Sequence, residues 1–218
     1  LEMLEQGGGA TGVKAAGEFG AAHMLAAVCD PGLEEVAAAA PEAARIFQLY
    51  LRGGDDFIAE HVRRATDSGY YAFCLTVDTA HYSRRERDIA KRHVTRGRRR
   101  AGGREFQAAL SWAHVERVKK YCRVPLILKG IATAEDARIA VEHGVDCVYV
   151  SNHGGRQLDH GRGSLDVLPE VVAAVAGKAE VMVDGGFCRG SDIVTAIALG
   201  AKAVGLRRLQ GYAVAAAG

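Results

Sequence analysis

Between positions 151 and 159 the chain reads SNHGGRQLD. His153 and Arg156 flank a glycine pair. An imidazole changes protonation near neutral pH, a guanidinium forks onto a carboxylate, and Gly154-Gly155 lets backbone approach a bound molecule closely. A polar turn would use the same letters, so the other strand-like runs must be weighed with it. FQLY carries Gln48 and Tyr50, LTVD carries Thr76 and Asp78, and LILKG carries Lys129. VMVDGG carries Asp184, Gly185 and Gly186, and AVGLRR ends on Arg207 and Arg208. One polar group at a strand end means little, whereas its recurrence on successive runs describes a site. Lysine is rarely buried without a partner, so Lys129 within LILKG marks a polar cluster. The Gly-rich ends DGG and GLRR suit backbone facing a phosphate.

Positioning these groups requires a scaffold. Runs rich in Val, Ile, Leu and Cys occur at 23–28, 45–51, 72–78, 125–130, 147–152, 180–186 and 203–208. Short, uniformly apolar runs fit parallel strands covered on both faces. The segments GLEEVAAAAPEAA, DDFIAEHVRRATDSG, TAEDARIAVEHG, LDVLPEVVAAVAG and GSDIVTAIALG read as helices. Thr133 and Ser191 are taken as caps, and Gly144 and Gly200 as stops. This alternation predicts a (β/α)8 barrel, with chemistry at the C-terminal strand ends. A doubly wound sheet competes, but no run is followed by G-x-G-x-x-G.

The chain of 218 residues is long enough for one α/β domain over 1–218 or for part of a larger one. It begins at Leu1 and stops at Gly218 within the helical-looking run GYAVAAAG, so both ends are expected to be cut, with the first barrel strand and the last helix missing. The net charge of +2 says nothing about partners, but residues 84–104 hold many Arg and Lys against only Glu86 and Asp88. The basic excursion at about 79–107 is expected to be a loop over the active-site mouth. A nucleic-acid patch would need interleaved aromatics, and only Tyr82 and Phe106 flank it. Five scattered cysteines without a C-x-x-C pair argue against a disulfide scaffold or a Cys-based zinc site, and no metal is expected. No apolar run approaches a membrane span. A reducing, cytoplasmic setting is the expectation, with a basic stripe that admits peripheral contact with the inner membrane.

SNHGGRQLD, with LILKGI upstream and VMVDGGFCRGSDIVTAIALGA downstream, resembles the FMN-dependent L-2-hydroxy acid dehydrogenases and oxidases. FQLY, LTVDTAHYSRRERD and GLRRLQ add matches in order along the chain. The resemblance implies a barrel with FMN at its mouth, oxidising an L-2-hydroxy acid, L-lactate favoured, to the keto acid. It makes His153 the base, Asp78 its orienting carboxylate, Arg156 and Arg85 the clamp on the substrate carboxylate, and Tyr50 a substrate hydrogen-bond donor. Lys129 would face the flavin N1/C2 edge. Gln48, Thr76 and Ser151 would contact the flavin ring, and Asp184, Gly185, Gly186, Arg189 and Arg208 its ribityl and phosphate. The electron acceptor is left among oxygen, a quinone and a cytochrome, and an oligomer of identical chains is implied for the full-length protein.

Some positions depart from the pattern. Ala27 stands where the family commonly has serine, Cys188 where other branches have arginine, and Arg207 where glycine precedes Arg208. A side chain at Arg207 predicts weakened FMN binding. The alternatives are a weakened or inactive fragment of the family, another FMN barrel such as a type 2 isopentenyl diphosphate isomerase or an IMP-dehydrogenase-like protein, and a basic binding module.

Overall fold

The computed structural model describes residues 4–5, 7–81, 85–92 and 102–217. Seven strands form one parallel sheet: β1 (His23–Ala26), β2 (Arg45–Tyr50), β3 (Ala72–Thr76), β4 (Leu126–Ile131), β5 (Cys147–Val150), β6 (Glu180–Asp184) and β7 (Ala203–Gly205). They are hydrogen-bonded in strict sequence order from β1 to β7. A doubly wound sheet reverses direction at a switch point. A sequential parallel order is that of a barrel wall, so the competing architecture is set aside.

The helices are α1 (Gly8–Phe19), α2 (Leu33–Ala39), α3 (Asp55–Asp67), α4 (Glu86–Ala90), α5 (Arg104–Ala108), α6 (Trp112–Tyr121), α7 (Ala134–Glu142), α8 (Ser164–Val175), α9 (Gly190–Ala198) and α10 (Arg208–Ala217). All five sequence-predicted helices are present. The Gly-rich α1 and the helix α6 go beyond that reading. α6 is capped by Ser111, whose side chain and that of His114 cap each other's backbone N–H groups. The Thr133 hydroxyl accepts from Asp136 N at 3.1 Å and caps α7 as expected. Ser191 is not a cap. The start of α9 is closed by Asp192, whose Oδ2 accepts from the N–H groups of Cys188 and Arg189 at 2.9 Å. Two backbone donors at a helix N-terminus favour the ionised form and lower the Asp192 pKa.

Strand alternation sorts the buried residues into two clusters. Phe47, Leu49, Phe73, Leu75, Leu126, Leu128, Val148, Val150, Val181 and Val183 join the helices in the large outer core. Ile46, Ala72, Cys74, Ile127, Cys147 and Tyr149, with Met24 and Met182 against them, form a smaller cluster on the opposite, concave face. Residues i and i+2 share a face of a strand, so each strand supplies both layers. The inner cluster is the floor on which a mouth can be built. Burial pushes the thiol pKa of Cys147 up to about 12 and raises that of Cys74, so both are inert packing groups.

The basic excursion carries α4 and α5, while residues 82–84 and 93–101 lie outside the described residues. Both its ends are tied near the C-terminal ends of the strands. The side-chain amide of Gln157, after β5, lies 2.8 Å from the His81 carbonyl oxygen. Gly103, at φ +73°, rests against Arg52, just past β2, where a Cβ would come within 2.7 Å of the Arg52 carbonyl oxygen. Among the described residues no helix is long and apolar enough to cross a membrane.

Candidate active site

The inward positions that end each strand carry the polar groups. Above Ile46 on β2 come Gln48 and Tyr50, above Cys74 on β3 come Thr76 and Asp78, and above Ile127 on β4 comes Lys129. Ser151 follows Tyr149 on β5, and Asp184 follows Met182 on β6. The period of two therefore turns one apolar floor into one polar rim.

His153 and Asp78, 75 residues apart, meet at 2.9 Å between Nδ1 and Oδ1. His153 is 6% exposed, and the Asp78 side chain 13%. A carboxylate only accepts, so Nδ1 carries the proton of the neutral imidazole and Nε2 is left as a base. The backbone is shaped for this contact. His153 is left-handed at φ 56°, and its N–H donates to Ser151 Oγ at 3.1 Å. Asn152 closes the turn, its Oδ1 accepting from Gly155 N and its Nδ2 donating to the Arg162 carbonyl, both at 3.1 Å.

On the other side, Asp78 lies against strand β4. Gly130 has φ +110°, and a Cβ there would stand 2.6 Å from Asp78 Cβ and 2.7 Å from its Cγ. The β4–β5 register slips at this glycine, Lys129 pairing with Tyr149 and Ile131 with Val150. The bulge keeps Lys129 on the concave face and returns Ile131 to the outer core, a re-aiming characteristic of bulges beside sites. Tyr50 completes this corner, its ring centroid 6.2 Å from that of His153. Burial pushes the Tyr50 pKa up to about 12, so its hydroxyl stays a neutral donor.

Lys129 is the second focus. Its Nζ donates to Ser151 Oγ at 2.7 Å and pairs with Asp184 Oδ2 at 3.0 Å. The two charged side chains are only 11% and 13% exposed. Desolvation offsets much of the attraction in such a pair, which is weak grounds for stability and better grounds for a task. Asp184 Oδ1 and Asp78 Oδ2 are buried without a hydrogen-bond partner among the described residues, and acceptors of this kind call for an explanation. Alongside, Gln48 Nε2 donates to Thr76 Oγ1 at 2.8 Å.

The remaining predicted residues are placed less centrally. Arg156 is half-buried in the loop after β5 and pairs with no carboxylate among the described residues. Arg85 takes the N-cap position of α4, left-handed at φ 52°. Arg208 opens α10 with its guanidinium beside Gly154, where a Cβ would lie 3.4 Å from Nη2. Arg189 is exposed at the start of α9. Gly186, at φ +86°, has nothing within 4 Å of where a Cβ would be, as an approach point for backbone requires. Gly185, at φ +107°, packs against Ser164 Oγ, 3.1 Å from a Cβ position, and so serves the turn. Arg207 is exposed, and its positive charge works against the rise in phenol pKa that burial causes at both Tyr50 and Tyr149, which places it toward the mouth. Sequence reasoning missed Gly130, Asn152 and Gly205. The signal for the first was a glycine directly after a buried lysine, and for the second an Asx residue before a glycine pair.

A sequential parallel wall with a His–carboxylate pair and a buried lysine at its C-terminal rim has the arrangement of an α/β-barrel site. Comparison with known proteins agrees. The family model described as FMN-dependent dehydrogenase matches residues 1–218, and the chain belongs to that family. It is 38% identical to 2-hydroxyacid oxidase 1 of Mus musculus, with 88% of this chain and 59% of the relative aligned. It is 36% identical to L-lactate oxidase of Lysinibacillus sphaericus, covering 99% and 63%. The crystal structure of mandelate oxidase with (S)-2-phenylpropionate superposes with a TM-score of 0.91 at 37% identity, covering 100% of this chain and 64% of that one. The chain thus spans about three-fifths of the length of the relatives it matches.

The residues present fit FMN. The unpartnered Asp184 Oδ1 is an acceptor for a ribityl hydroxyl, and Gly186 leaves its backbone approachable. Lys129, Gln48 and Thr76 give a buried row of donors and acceptors suited to the heteroatom edge of a flavin.

Proposed function

We propose that the protein oxidises an L-2-hydroxy acid, with L-lactate the favoured substrate, to the 2-keto acid using FMN. The single observation that carries this reading is the 2.9 Å His153–Asp78 pair beside the buried Lys129–Asp184 pair at one rim. FMN supplies the acceptor for the electron pair that leaves the substrate.

The rest is work for side chains of this chain. Arg156 and Arg85 bind the substrate carboxylate, the guanidinium fork giving orientation as well as charge. Tyr50, neutral below about pH 12, donates to the substrate. His153 Nε2 takes a substrate proton, and Asp78 holds the ring in the tautomer that allows it and stabilises the imidazolium formed. Lys129 would face the flavin N1/C2 edge and supply positive charge there. Gln48, Thr76 and Ser151 would hold the ring. Asp184, Gly186, Arg189 and Arg208 would hold ribityl and phosphate, and Gly185 shapes the turn between Asp184 and Gly186. The relatives' names support the substrate class, since they are oxidases of 2-hydroxy acids, lactate and mandelate.

The test is anaerobic titration of the FMN-loaded chain with L-lactate, glycolate and mandelate while flavin absorbance is followed. Bleaching by at least one acid is expected, with loss of about 10²–10⁴ in rate for His153→Ala, the usual contribution of a positioned base. A His153→Ala variant that bleaches at the parental rate would remove the base, and no bleaching by any 2-hydroxy acid would remove the reaction.

A further inference from the structure

Tyr149 takes no part in the chemistry above, yet its surroundings are unusually specific. It lies on the concave face of β5, 3% exposed, paired in register with Lys129 on β4 and Met182 on β6. The Lys129 Nζ sits over its ring, 5.0 Å from the centroid. An ammonium over an aromatic face is attracted by the ring's negative quadrupole. The hydroxyl end reaches across β6 to Gly205 on β7, where a Cβ would overlap the phenolic oxygen. The φ of Gly205 lies outside the left-handed region, so its backbone does not demand glycine. The space taken by Tyr149 does. An aliphatic residue would fill the floor without requiring a glycine two strands away.

We infer that Tyr149, locked against Gly205, is a positioning residue for Lys129, its ring supporting the ammonium at the rim where Ser151 and Asp184 hold it. This deepens the functional reading above and rests on it. Lys129 has three N–H bonds, of which Ser151 Oγ and Asp184 Oδ2 take two. The ring supports the ammonium from below without consuming the third. Without the ring, the ammonium keeps Ser151 Oγ and Asp184 Oδ2 but loses the face it rests on, and it sinks into the space the ring leaves, away from the rim. Burial keeps the phenol pKa well above its usual value, so the face under Lys129 remains that of a neutral ring.

The experiment compares the parent chain with Tyr149→Phe, Tyr149→Leu, Gly205→Ala and the double variant Gly205→Ala/Tyr149→Phe. In the flavin-free chain, NMR signals of the Lys129 ε-methylene, assigned by their loss in Lys129→Met, are expected to be shifted upfield by the ring current. The shift is kept in Tyr149→Phe and lost in Tyr149→Leu. With FMN bound, the two-electron midpoint potential is expected to fall in Tyr149→Leu by about 30 mV, tenfold in the reduction equilibrium. Tyr149→Phe should hold the parental value. Gly205→Ala should fall as Tyr149→Leu does and recover when Tyr149→Phe removes the overlapping oxygen. Unshifted Lys129 signals in the parent, or a potential equal in parent and Tyr149→Leu, would overturn the inference. A parent chain that takes up no FMN would overturn the functional reading instead, while the ring-current comparison still decides where Tyr149 holds Lys129.

Discussion

Gly130→Ala is the sharpest perturbation of the site that touches no catalytic atom. The new methyl would start 2.6 Å from Asp78 Cβ, 2.7 Å from its Cγ and 2.9 Å from its backbone nitrogen, where ordinary contact begins near 3.4 Å. Two costs add. A non-glycine residue held at φ +110° carries about 1–3 kcal/mol of backbone strain. Forcing a methyl into a packed contact costs about 1–3 kcal/mol more. The expected destabilisation is about 2–5 kcal/mol, since the bulge relaxes part of it, and for a chain of this length that lowers Tm by about 4–20 °C. The chemical effect should exceed the thermal one. Asp78 must retreat by most of an ångström, and a 2.9 Å bond to His153 Nδ1 lengthened by that much is no longer a hydrogen bond. Thermal unfolding followed by circular dichroism and the His153 Nδ1 proton resonance read the two consequences separately. A Tm within about 2 °C of the parent would refute the strain and packing cost, and a His153 resonance unchanged from the parent would refute the displacement of Asp78.

Further outcomes follow from the same geometry. Asp78→Asn should keep the fold but slow substrate oxidation by about 10²–10⁴, because the amide no longer fixes the tautomer that frees Nε2; single-turnover flavin bleaching measures this. Arg207→Gly should tighten FMN binding by roughly tenfold, about the worth of one regained backbone hydrogen bond, measured by quenching of FMN fluorescence. His23 is buried and its pKa is lowered from the usual 6.5, chiefly by desolvation. The unfolded chain therefore binds the proton first, and stability present above pH 6.5 is lost as pH falls below that value. Urea unfolding of His23→Gln should show a flatter stability profile between pH 7 and 5. Tyr50→Phe should raise KM by a factor that stays constant from pH 6 to 9, since a phenol raised to about 12 does not titrate there; steady-state kinetics check it.

The seven strands and the polar rim were both legible in the sequence, because each depends on a local period. Alternation of apolar floor and polar end residue needs only neighbours two apart, and short all-apolar runs can be stable only when both faces are covered. Gln48, Tyr50, Thr76, Asp78, Lys129, His153 and Asp184 could therefore be read as strand-end groups of one site, with Ser151 added by the family resemblance. Which of them touch was decided by the sheet. Curvature and register bring Asp78 to His153 across 75 residues and set Lys129 between Ser151 and Asp184. The start of α9 shows the same limit at short range. Ser191 has the composition of a cap, but chain direction gives the two backbone donors to Asp192. Gly130 and Gly205 mark it most clearly. Nothing in LILKG or AVGLRR says that one glycine makes room for Asp78 and the other for Tyr149. Those requirements arise from side chains of other strands, and excluded volume between distant residues exists only once the chain has folded.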